Sequence, residues 1–317
     1  MAFCECGTGR SNLGVLGCFN EFDSVKKHIS VNTFDSQGNR NSIELSDLVD
    51  GKLTDAYILG KFTEADASKR WFITPKKYEN VEPSRTDSTY EDFSSGTRVK
   101  IDVGVKAFLG IIPKTAGVLA TKMESGACTA YGNFEIDTNG SLKGEMSADG
   151  AFLYPIQVSA GSFEAVEIEP VEGSSTQRIQ VSFQYSKSVN EGQLRIIESA
   201  NIEVDLLEVN GGLDGELEGT GTPTATSFSA TFGIDSFGAF GVVIPIEGQT
   251  EVTDWLIVDS ALGVVTPTGV AEVIAGQYDF TIPSTPSDVL SVTYVGTTTS
   301  ALDQKYYSNT LEVTTPV

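Results

Sequence analysis

Short runs in which apolar and polar residues alternate, separated by clusters of Gly, Pro, Asn, Asp and Ser, recur along the whole chain and predict strands joined by turns. The clearest is RVKIDVGVKAF. Val99, Ile101, Val103 and Val105 point one way and Arg98, Lys100, Asp102 and Lys106 the other, so one face is expected on a core and the other in water or on a polar partner. SVKKHISVNTF, from Ser24 to Phe34, and NSIEL flank the turn DSQGNR and read as a hairpin. GNFEI and SLKGEM flank Asn139 and Gly140 and read as another. FLYPIQVSA, FEAVEIEPV, RIQVSFQY, LRIIES and IEVDLLEV continue the series, which suits a barrel or a two-sheet sandwich. LSDLVDGKL is a short mixed segment. One short helix is expected over TEADASKRWF, where Thr63 and Asp66 have capping-box spacing, Asp66 and Arg70 lie one turn apart, and Pro75 limits the length.

Between that helix and the RVKIDVGVKAF strand lies TPKKYENVEPSRTDSTYEDFSSGTR, long, charged and without periodicity. Loops of that length are uncommon in compact domains unless they have a task. A solvated loop is one reading. The other is an arm that orders against a second subunit, with Trp71, Phe72, Tyr78, Tyr90 and Phe93 as aromatic anchors of the type interfaces favour.

A break near Gly211 divides the chain. The segment GGLDGELEGTGTPTATSFSATF predicts a linker over residues 214–224, between a β domain at 23–213 and a second at 225–317. In the latter, six or seven strands around Trp255 and Tyr278 suggest an immunoglobulin-like sandwich without the paired cysteines of antibody domains. Residues 1–22 form a Gly-, Ser- and Asn-rich arm expected to order only against a neighbour. The fold class is therefore mainly all-β.

Charge sharpens the division. The formal net charge is −22, and residues 214–317 hold thirteen Asp or Glu against one cation, Lys305. Such a chain does not bind phosphate backbones by simple attraction. No apolar run approaches the roughly 20 residues that cross a bilayer, so no membrane partner is expected, and the N-terminus shows no signal-peptide pattern, so synthesis in the cytoplasm is expected.

Candidate chemistry is sparse. Cys4, Cys6 and Cys18 with His28, the only histidine, could be drawn as a zinc site, but the spacing fits no common zinc signature and free or locally crosslinked thiols are the plainer reading. His28 itself is expected as a solvated imidazole on the polar side of its strand. Asp137, Asn139, Glu145 and Asp149 are oxygen-rich and invite calcium, although the twelve-residue loop with its terminal Glu is absent and a hairpin turn explains them as well. The acidic clusters EAVEIEPVE and DGELEG read as wet strand faces and linker rather than a glycosidase pair. No phosphate-cradling loop and no basic stripe interleaved with aromatics stands out. No enzyme activity, metal or cofactor is expected.

The N-terminal arm CECGTGRSNLGVLGC, the first strand pair, the long loop after RWFITPKKYENVEP, strands closing with IEVDLLEVNGG, and the appended sandwich together resemble tail tube proteins of phages infecting Bacteroidetes. The resemblance covers the chain in order and rests on layout. It implies a β-sandwich or barrel core with one helix, a homo-oligomer of six-membered rings stacked into a tube by arms and loops, contacts with other tail proteins, location in the virion tail, and double-stranded DNA passing through the lumen without specific binding. An acidic lining would let DNA slide by repulsion. Two rival readings share the composition: a cell-surface or secreted adhesin or carbohydrate-binding protein using Trp255, Tyr278, Tyr294, Tyr306 and Tyr307, and another virion component such as a head decoration or baseplate protein.

Overall fold

The computed structural model describes residues 22–64, 66–102, 104–115, 117–125, 130–172, 176–209, 213–235, 243–259, 263–283, 289–296, 306–308 and 310–316. Residues 1–21 of the expected N-terminal arm, all four cysteines and Val103 lie outside the described residues. Two compact units divide the chain, Met1–Asn210 and Gly211–Val317. Both are all-β, and the first carries two helices among the described residues.

The first half of the body runs β1 (Val25–Asn32), β2 (Ile43–Glu44), α1 (Asp55–Phe62), β3 (Phe72–Ile73), β4 (Ser84–Arg85), β5 (Thr89–Asp92), β6 (Arg98–Asp102) and β7 (Lys106–Pro113). Its second half runs α2 (Gly117–Ser125), β8 (Tyr131–Asp137), β9 (Leu142–Met146), β10 (Phe152–Tyr154), β11 (Ile156–Gln157), β12 (Glu164–Ile168), β13 (Arg178–Gln184) and β14 (Leu194–Ile197). A large sheet follows the order β2-β10-β9-β8-β1-β3, with β11 added to β8 and β14 to β9. A smaller sheet follows β12-β13-β7-β4, and β5 with β6 forms a two-stranded sheet of its own.

The large sheet is covered on both faces. His28 and Glu135, opposite each other in the β1–β8 register, face the smaller sheet, and the His28 ring lies 4.6 Å from Phe108 and 5.3 Å from Phe183, centroid to centroid. On the opposite face Phe134 meets Trp71 at 5.6 Å, and Trp71 in turn stands edge-on to Phe62 of α1 at 6.1 Å. Every residue of β8 after Tyr131 is buried. Each large apolar side chain removed from water this way contributes about 1.5–3 kcal/mol. A strand buried on both faces loses the alternation that marks a half-wet strand, which is why His28, expected in solvent, is 2 % exposed.

The helix lies one segment earlier than TEADASKRWF. Thr54 is the N-cap of α1, its Oγ1 accepting from the Tyr57 N–H at 3.2 Å, and Ile58 and Phe62, one turn apart, supply the buried stripe. Thr63 closes this helix instead of opening one: its N–H donates to the Leu59 carbonyl. Asp66 accepts from Ser68 and Ser36 and shapes a turn. The hairpin read over Ser24–Glu44 reduces to one isolated bridge, Phe34 with Arg40, because β1 pairs with β8 and β3 while β2 pairs with β10. The Asn139–Gly140 hairpin forms as expected between β8 and β9, with Gly140 at a φ of 81°. IEVDLLEV is not a strand. Ile202, Val204, Leu206 and Val209 are buried from irregular chain, and the Lys27 ammonium donates to the Val209 carbonyl at 2.7 Å. Burial lowers the Lys27 pKa to about 8.

The second unit comprises β15 (Leu213–Thr224), β16 (Ser227–Asp235), β17 (Val243–Pro245), β18 (Trp255–Asp259) and β19 (Gly263–Val265). It continues through β20 (Gly269–Ile274), β21 (Gln277–Thr281), β22 (Val289–Tyr294), β23 (Tyr306–Ser308) and β24 (Leu311–Thr314). One sheet runs β20-β21-β16-β15-β23 with β17 beside β16, the other β19-β18-β22-β24. All pairs are antiparallel except β15 with β23. Trp255 and Tyr278 lie in the core with rings 5.3 Å apart, as the pattern predicted. The expected linker at 214–224 is instead the body of β15, paired with β16 from Glu216 to Thr224 and burying Leu217. Glycine misled the reading here: a Cβ on Gly215 would come within 2.4 Å of the Phe232 ring, so the residue serves close packing rather than flexibility.

Candidate functional site

β5 and β6 stand out from the body as a hairpin whose two faces differ. Tyr90 pairs with Lys100 and Asp92 with Arg98, and the Arg98 guanidinium lies 3.4 Å from the Asp92 carboxylate and 4.4 Å from the centre of the Tyr90 ring. That face is charged, and Arg98 is held within it by Asp92 and Tyr90. The alternation of a strand places Glu91 and Phe93 on the opposite face with Val99 and Ile101. Ile101 is 61 % exposed, Val99 46 % and Phe93 46 %. The residues expected to reach a core are thus uncovered among the described residues, because β6 pairs with β5 alone. Val105, at the root, is half-buried.

The root is fixed. Thr86 and Val105 exchange hydrogen bonds, the Thr86 N–H donating to the Val105 carbonyl and the Val105 N–H to Thr86 Oγ1. A Cβ on Gly104 would sit 1.5 Å from the Thr86 carbonyl oxygen, so only glycine lets the two strands approach there.

Of the five aromatics proposed as contacts, the structure brings two onto this hairpin, Tyr90 and Phe93. Phe72 is exposed on β3. Trp71 and Tyr78 are not available to a partner: both are buried in the body, Trp71 between α1 and β8 and Tyr78 beside His28. The 25-residue loop is therefore part core anchor, part edge strand and part hairpin.

A cavity of about 310 Å³ opens at the hairpin root. Its lining includes buried Glu135, its half-buried ion-pair partner Lys143, and Tyr185, whose hydroxyl donates to Glu135. Burial alone would raise the Glu135 pKa, but Lys143 and the hydrogen bonds from Lys143 and Tyr185 outweigh it and hold the carboxyl below its ordinary value. The Tyr185 hydroxyl is pushed far up by burial and by the carboxylate it serves. Arg85, Lys106, Lys187 and Glu191 also line the cavity, with Arg85 bonded to Glu191, and Ile156, Val189 and Leu194 add apolar wall. Sequence reading missed this cluster. The hairpin register carried the signal, since counting back from Asn139–Gly140 sets Glu135 opposite Lys143.

Behind the pair, both ring nitrogens of His28 lack a hydrogen-bond partner among the described residues. Burial drives its pKa down to about 4. Its sulfur partners in the zinc sketch lie outside the described residues. The calcium candidates are engaged otherwise: Asp137 accepts from the Asn139 and Ser141 N–H groups, Glu145 takes Arg40 and the Asn190 N–H, and Asp149 takes Ser147 and the Ala151 N–H. Among the described residues no group of three or more His, Cys, Asp or Glu is placed to hold a metal. In the second unit Trp255, Tyr278 and Tyr294, proposed for a sugar platform, are core residues, while Tyr306 and Tyr307 fall on β23. No helix among the described residues is long and apolar enough to cross a membrane. No protein-family model and no curated protein matches this sequence.

Proposed function

We propose that this chain is a structural virion protein, the subunit of hexameric rings stacked into a phage tail tube through which double-stranded DNA passes, working without cofactor or bond chemistry. One observation carries the reading. A hairpin whose apolar face is uncovered among the described residues presents Phe93, Val99 and Ile101 from a fixed root, an arrangement suited to a neighbouring subunit. The net charge of −22 supports conduction of DNA over capture. The carbohydrate-binding alternative is weakened by the burial of three of its five aromatics.

Negative-stain electron microscopy of the purified chain tests this. Hollow rings or tubes with sixfold averages are expected, and Ile101→Lys should disperse them while leaving the melting temperature unchanged. A dispersed monomer at all concentrations, or shells and plates in place of tubes, would reject it in favour of an adhesin or a different virion part.

A further inference from the structure

The cavity at the root of the hairpin and the uncovered face near its tip complement each other, and we propose that the hairpin of one copy seats Glu91 and Phe93 in the Arg85–Lys106–Lys187 cavity of a second copy. The inference rests on the ring reading above and names the two surfaces that would meet.

Charge points to this match. Three cations, Arg85, Lys106 and Lys187, stand with Glu191 around the cavity, while its ion pair, Lys143 and Glu135, is neutral as a unit. Cations gathered around one cavity stand out in a chain of net −22. On the hairpin, Glu91 is the one titratable group of the apolar face and pairs with no described residue, whereas Asp92 on the reverse is held by Arg98. An acid flanked by Phe93 and Val99 fits a cavity that offers cations beside Ile156, Val189 and Leu194.

The hairpin does not fill its own cavity. Arg85, Gly104, Val105 and Lys106 line the cavity at the root, and the extended chain carries Glu91 roughly 20 Å beyond Arg85. The Thr86–Val105 bonds and the tight approach at Gly104 oppose folding back. A contact from tip to another copy's root is heterologous, and repeated it closes a ring or continues a stack.

The test uses an equal mixture of isotope-labelled and unlabelled full-length chain, assembled and treated with a carbodiimide, which joins a carboxylate directly to an amine. Mass spectrometry should find mixed-isotope peptides linking Glu91 to Lys106 or Lys187. Glu91→Lys should lower the assembled fraction by about tenfold or more without changing the melting temperature. Adding Lys106→Glu to it should restore assembly. A wild type that never assembles overturns the ring reading and this contact together. A wild type that assembles without the mixed Glu91 crosslink, or alongside an equally assembled Glu91→Lys variant, overturns the contact alone.

Discussion

The two sandwiches of this chain bury different things. The body buries charge of both signs, Lys27 and Glu135, and gives Glu135 the half-buried Lys143 as its cation, with His28 behind the pair. The core cluster of the second unit is organised by Phe228, Phe232, Trp255, Tyr278, Phe280 and Tyr294, and the charged groups buried in that unit, Asp254 and Asp259, are acids. The body also exposes an apolar hairpin face that it could have hidden. Both units accept buried charge and expose apolar side chains, but the body sets an acid and its cation together beside a cavity.

Removing one member of the Glu135–Lys143 pair should give the largest effect. Lys143→Ala leaves Glu135 without its cation and should cost roughly 3–5 kcal/mol of the body's stability. Two separate transitions in a urea melt would show the second unit unmoved, and a joint shift of both would abolish the distinction drawn above. Trp255→Ala is the reciprocal change, expected to cost about 3–5 kcal/mol in the second unit through cavity formation.

Acid comes next. His28 has a pKa held by burial at about 4 against an ordinary 6.5, so the unfolded chain binds its proton first. The contribution is complete above pH 6.5, declines as the pH falls toward 4, and amounts to about 3 kcal/mol for a shift of this size. His28→Phe should flatten that window in the body's melting curve. The second unit has no histidine and should show no such step in either protein. A wild-type body as stable at pH 4.5 as at pH 7 would refute the burial argument.

A smaller effect is expected at the N-cap: Thr54→Ala should destabilise the body by about 1 kcal/mol, measurable by the same melts. The smallest should be none at all. Ending the chain at Asn210, before β15 begins, should leave assembly by electron microscopy as it is in the full chain. Loss of rings on that truncation would show that the second unit shares the structural task.

Legibility in the sequence tracked burial. The alternating runs of β13, β18 and β21 bury one face each and could be read directly. β8 is buried throughout, so its polar Asn133, Glu135 and Asp137 gave no hint of lying inside. The RVKIDVGVKAF strand alternates as well as any, yet its apolar face is uncovered, because periodicity reports that a face is apolar and not what covers it. The helix was misplaced by a capping-box spacing that lacks a buried stripe to follow it, while Thr54 with Ile58 and Phe62 has one. Of the contact aromatics, Tyr90 and Phe93 survive as surface groups on the hairpin, and no local pattern distinguished them from Trp71 and Tyr78, whose fate depends on tertiary packing.

The Lys27–Val209 bond has a mechanical consequence. Val209 lies one residue from the boundary of the body at Asn210, so tension on the chain near that boundary meets this bond. The grip it meets is a charge-assisted bond shielded from water and rooted in β1, a strand held by β8 on one side and β3 on the other. Pulling on the Val209 carbonyl would have to shear β1 from two neighbours instead of peeling a free edge.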